Sequence, residues 1–152
     1  MKTKTLITSL GAVLLLAASA FAGELVNVSG ASKIAVSGYD PVAFFTDHQP
    51  VKGDQKFLIK HDGAIYFFAS KEHKDLFKEN PAKYEPEFGG YCAYGVSRNK
   101  LVEIDVDAFQ IVDGKLLLQY SKSVRENFNK DANANLAKAA TNWPGLVAKK
   151  GK

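Results

Sequence analysis

The chain has 152 residues, of which 46% are apolar and 24% charged, with one cysteine and a formal charge of +4. That balance describes one ordinary globular domain and excludes a disordered, collagen-like or coiled-coil chain. A single cysteine excludes an internal disulfide framework, and a chain of this length buries enough apolar surface not to need one.

Taken in chain order, the first residues have the pattern of an export signal. Lys2 and Lys4 give a positive start, Leu6 to Ala18 is mostly apolar, and Ala20-Phe21-Ala22 places small residues where a signal peptidase reads them. The expectation is a signal peptide over residues 1–22, and no stable membrane insertion after cleavage. Losing Lys2 and Lys4 reduces the 20 basic side chains to 18 against 16 acidic ones. A nearly neutral body offers no basic face for nucleic acid. Residues 23–37 read as a leader strand or linker, residues 38–146 as the folded domain, and residues 147–152 as a solvated basic tail.

Asp40-Pro41 is a helix-start pair, so a short helix is predicted over Pro41 to Phe45. Lys56 to Lys60 and Ala64 to Phe68 flank Asp62-Gly63 and read as a hairpin. Ser70 caps a helix over Lys71 to Asn80 that carries His73 on the same face as Leu76 and Phe77. Pro81 to Gly95, rich in Tyr, Pro and Gly, reads as a long irregular loop and so as a place to look for function. Ala108 to Val112 and Lys115 to Tyr120 flank Asp113-Gly114 and predict a second hairpin. Ser121 then caps a helical stretch, and a last helix runs from Asn133 to Trp143 before Pro144. Hairpins followed by helices predict an α+β fold, a small single domain with two antiparallel hairpins and several short helices.

No phosphate loop, HExxH, CxxC or Gly-x-Ser-x-Gly elbow is present. Glu103, Asp105 and Asp107 alternate as a solvated strand face would. Tyr84, Phe88, Tyr91 and Tyr94 either pack the irregular loop or line a small-molecule pocket, and Tyr39, Tyr91 and Tyr94 are the candidate pocket residues. Cys92 stands among glycines in Gly-Gly-Tyr-Cys-Ala-Tyr-Gly. A thiolate is both a nucleophile and a soft metal ligand, and inward-facing His73 is the best neighbour to activate it or share a metal with it. A third ligand would come from His48, His61 or a carboxylate. The plainer alternative makes Cys92 a small buried hydrophobe and His73 a hydrogen-bonded core histidine.

Three blocks in order carry a family resemblance: Gly38-Tyr39-Asp40-Pro41-Val42-Ala43-Phe44-Phe45; Tyr66-Phe67-Phe68-Ala69-Ser70 with Phe77, Asn80-Pro81 and Tyr84; and Gly89-Gly90-Tyr91-Cys92-Ala93. Over residues 38–146 the chain resembles the exported YHS-domain proteins. The resemblance implies a small α+β domain and metal binding. In cysteine-rich relatives associated with copper handling, the turn from hairpin to helix reads Phe-Cys-Ser followed by a second cysteine. Ala69 and His73 hold those two positions here, so a thiolate pair does not carry over.

The resulting expectation is an exported, periplasmic or secreted, non-enzymatic protein that binds copper first and zinc second through His73 and Cys92. Two other readings stay open: a redox or nucleophilic thiol at Cys92, and a small-ligand or structural module without metal.

Overall fold

A computed structural model describes residues 25–150, so the expected signal peptide lies outside the described residues. Two short strands, β1 (Val28–Ser29) and β2 (Ile34–Ala35), lead into helix α1 (Ala43–Thr46). The first hairpin follows as β3 (Asp54–His61) and β4 (Ala64–Phe68), then α2 (Lys71–Glu79) and α3 (Pro81–Tyr84). After a 3-10 turn over Glu87–Gly90 come α4 (Ala93–Ser97), the second hairpin β5 (Asp105–Val112) and β6 (Lys115–Gln119), α5 (Lys122–Asn129) and α6 (Ala132–Lys150). This is the expected α+β arrangement.

The four-stranded sheet has the order β1-β2-β4-β3, with β2 parallel to β4 and the other pairs antiparallel. The residues expected as a leader therefore complete the sheet, and Ala35 and Val36 are buried in its core. Asp62 and Gly63 close the first hairpin with positive φ at both positions, the conformation that a two-residue hairpin turn demands. Period-two alternation puts Ala64, Tyr66 and Phe68 into the core.

Strand β6 sits between two cores, and this explains its unbroken Leu116-Leu117-Leu118 run. Leu116 and Leu118 pack with Phe44, Tyr66, Phe68 and Phe77, whereas Leu117 faces the cluster of Phe88, Val96, Phe128 and Trp143. Asp105 and Asp107 are exposed on β5, a solvated face as read.

Three expectations need correction. The first helix starts two residues later than predicted, although Asp40 does act at its start: Oδ1 accepts the N–H of Val42 at 2.8 Å. The run from Pro81 to Gly95 is a chain of short helical turns, separated where Phe88, Gly89 and Gly90 take positive φ. Helix α6 continues through Pro144 because Trp143 and Leu146, on either side, are both anchored in the second core. Among the described residues no helix is long and apolar enough to cross a membrane.

Candidate metal centre and adjoining cleft

The hairpin turn brings three ligand types together. His61 ends β3, Asp62 follows in the turn, and Glu85 lies just past α3, placed by the packing of α2 and α3 beside the hairpin. His61 Nε2 donates to Glu85 Oε1 at 2.7 Å and lies 3.4 Å from Asp62 Oδ2. One ligand atom from each of the three residues falls within 4.8 Å of the others. The ring of His61 is fixed by an edge-on contact with Phe77 at 5.7 Å.

Asp62 and Glu85 open onto a cleft of about 330 Å³. Tyr66, Phe88, Pro86, Trp143 and Pro144 form its apolar walls, so α6 closes the side opposite the hairpin. Glu87 adds a third carboxylate and is paired with Lys115 at 3.3 Å. Tyr66 is only 2% exposed. Burial, then the charges of Glu85 and Asp62, push its phenol above the ordinary tyrosine range, which keeps it a proton donor.

Phe88 shapes the cleft at a cost. A non-glycine residue at φ 53° is strained, and conformations of this kind cost about 1–3 kcal/mol each. Gly89 follows at φ 59°, and a Cβ there would overlap the carbonyl oxygen of Leu25. The close approach is secured by the Asn27 N–H, which donates to the Gly89 carbonyl at 2.8 Å.

The expected partners His73 and Cys92 each have a hydrogen-bond set of their own. His73 Nδ1 donates to Oδ2 of Asp40 at 2.7 Å, and Nε2 lies 3.2 Å from Thr46 Oγ1. Cys92 is 1% exposed, and its Sγ accepts the N–H of Tyr120 at 3.3 Å and of Gly95 at 3.4 Å while donating to Gln119 Oε1 at 3.4 Å. No hydrogen-bonding group is shared between the two sets. Cys92 thus has the setting of a buried, internally bonded thiol, the plainer alternative for it.

The candidate pocket tyrosines also separate. Tyr39 lies under Lys52 Nζ at 4.6 Å and packs on the first core. Tyr91 and Tyr94 pack on the second core, with their hydroxyls accepting from Lys150 at 2.9 Å and Arg98 at 2.7 Å. The aromatic cleft that does form uses Tyr66, Phe88 and Trp143. His61 was among the third-ligand candidates. Asp62 and Glu85 were missed, and the only local signal was the adjacency of His61 to an acidic turn residue.

Comparison with curated proteins and with solved structures finds no match. A family model described as YHS domain matches residues 42–87. That stretch holds α1, the first hairpin, α2, α3 and all three clustered ligand residues, and Cys92 lies beyond it. The similarity to the YHS domain thus covers 46 of the 152 residues, those that form the first hairpin and its flanking helices.

Proposed function

We propose that this protein binds a divalent transition-metal ion through His61 Nε2 and one carboxylate oxygen each from Asp62 and Glu85. The observation that carries the reading is the convergence of these three atoms within 4.8 Å at the mouth of a cleft. Zinc bonds to N and O of about 2.0–2.2 Å place tetrahedral ligands about 3.3–3.6 Å apart. The separation of His61 Nε2 from Asp62 Oδ2, 3.4 Å, already falls there. Glu85 reaches the same spacing by giving up its hydrogen bond to the imidazole. A nitrogen and oxygen set suits zinc or copper(II) and disfavours copper(I), which soft thiolates select. With three protein ligands, a bound ion would keep a coordination position free and would supply a Lewis-acidic centre beside the cleft.

Calorimetric titration of residues 23–152 with zinc is expected to show one site, lost in His61→Ala and weakened at least about tenfold in Glu85→Gln. His73→Ala and Cys92→Ser should retain it. Equal binding by the His61 variant, or loss confined to the Cys92 variant, would overturn the assignment.

The reading includes export. Its support is the charged, apolar and small-residue order of residues 2–22. Burial of the lone thiol is consistent with an oxidising compartment, where an exposed one would mispair. Mass spectrometry of the protein recovered from its cells should find Gly23 at the amino terminus. A retained Met1 would contradict this part.

A further inference from the structure

Charge and wall chemistry in the cleft beside the ligand cluster point to one class of guest. Asp62, Glu85 and Glu87 line it, and among the described residues no lysine or arginine does. Lys115 pairs with Glu87 at 3.3 Å from outside that lining and offsets one of the three charges. A cleft lined by one sign of charge focuses its field on ions of the other sign. Phe88 and Trp143 line the same space, their ring centroids 6.0 Å apart and their planes at 67°, and Tyr66 adds a third ring. Rings turned steeply against one another can offer more than one π-face to a cation, the arrangement by which aromatic cages hold ammonium groups. A volume of about 330 Å³ falls in the range of small-molecule sites and exceeds what a lone metal ion needs.

We propose that the cleft binds a small organic ammonium ion with an apolar body, its charged head against Asp62, Glu85 and Glu87 and its body against Phe88, Trp143 and Pro144. An inorganic cation satisfies the carboxylates and leaves the rings without a role. A neutral apolar molecule does the reverse, and strips water from carboxylates that it cannot pair. An ammonium group carrying hydrocarbon meets both halves of the lining. This inference goes beyond the metal reading and does not need the ion. Both draw on Asp62 and Glu85, so the metal and the organic cation are alternatives at the mouth of the cleft, each excluding the other through like charge and shared carboxylates.

Phenethylammonium is the probe, titrated calorimetrically into chelator-treated protein beside 2-phenylethanol, which keeps the aromatic body and loses the charge. The expected result is one site for the ammonium ion, at least about tenfold tighter than for the alcohol, the difference that a hydrogen bond between charged groups makes. Asp62→Asn should weaken the ammonium by about tenfold and leave the alcohol unchanged. Asparagine tolerates the left-handed backbone that Asp62 adopts, so the hairpin turn survives the exchange. The fluorescence of Trp143, the sole tryptophan, should change along the same titration. Equal affinity for the ammonium ion and the alcohol, undiminished ammonium binding in Asp62→Asn, or binding without a change in Trp143 emission would each overturn the proposal. No metal is present in this titration, so its failure would leave the metal reading standing, and failure of zinc to bind would leave this result as it is.

Discussion

Replacing Asp40 with alanine is expected to cost about 3–5 kcal/mol, because four donors lose one buried carboxylate at once. Asp40 is fully buried and holds three segments at once. Its Oδ1 accepts from Val42 at 2.8 Å and Ala43 at 3.4 Å, starting α1. Its Oδ2 accepts from the Ala69 N–H at 2.8 Å, at the end of β4, and from His73 Nδ1 at 2.7 Å, in the first turn of α2. The alanine variant leaves those donors facing a void, and a domain with about 5–15 kcal/mol of total stability loses a large share of it. Asparagine should be milder, because one oxygen still serves Val42 and the histidine can present its other tautomer, but its amide meets the Ala69 N–H donor to donor. Urea denaturation followed by Trp143 fluorescence measures both. A loss below about 1 kcal/mol for Asp40→Ala would show that the carboxylate is dispensable to this junction. A double-mutant cycle with His73→Ala isolates the pair, whose coupling should be clearly favourable.

The second large effect is expected at Phe77, which offers a metal no polar atom yet supports both His61 and the cleft residue Tyr66. Its ring lies 5.0 Å from Tyr66, 5.1 Å from Phe68 and 5.7 Å from His61. Phe77→Ala should cost about 3–5 kcal/mol through the cavity it leaves. It should also weaken zinc binding, because His61 loses the ring that holds its imidazole edge-on. Phe77→Leu keeps most of the volume and should retain both properties more nearly. Zinc affinity unchanged in a folded Phe77→Ala protein would mean that the hairpin backbone alone positions His61.

Much of the architecture was legible because it is written in local chemistry. Asp62-Gly63 and Asp113-Gly114 specify tight hairpins, and Ser70 and Ser121 accept from the N–H groups of His73 and Val124 as helix caps should. Pro144 misled because a local helix-breaking rule yields to tertiary anchoring on both sides. Phe88 misled for the opposite reason: nothing in a phenylalanine announces a positive φ, which arises from its packing on Trp143 and the approach of residues 25–27 to Gly89.

The site was less legible than the fold. His61 and Asp62 are neighbours in sequence, but the residue that turns them into a cluster is Glu85, 24 positions beyond His61 and brought in by α2 and α3. No spacing rule captures a ligand delivered by two intervening helices. The attraction of His73 and Cys92 as a pair came from residue type and from the inward direction of His73. Their environments answer differently: an aspartate and a threonine for one, backbone amides and a glutamine for the other.

X-ray absorption at the zinc edge of the protein loaded with one equivalent separates these two arrangements most directly, because sulfur is distinguishable from nitrogen and oxygen in the first coordination shell. Binding at His61, Asp62 and Glu85 predicts only nitrogen and oxygen scatterers, at about 2.0–2.2 Å. A sulfur scatterer at about 2.3 Å would put Cys92 on the metal and contradict the assignment.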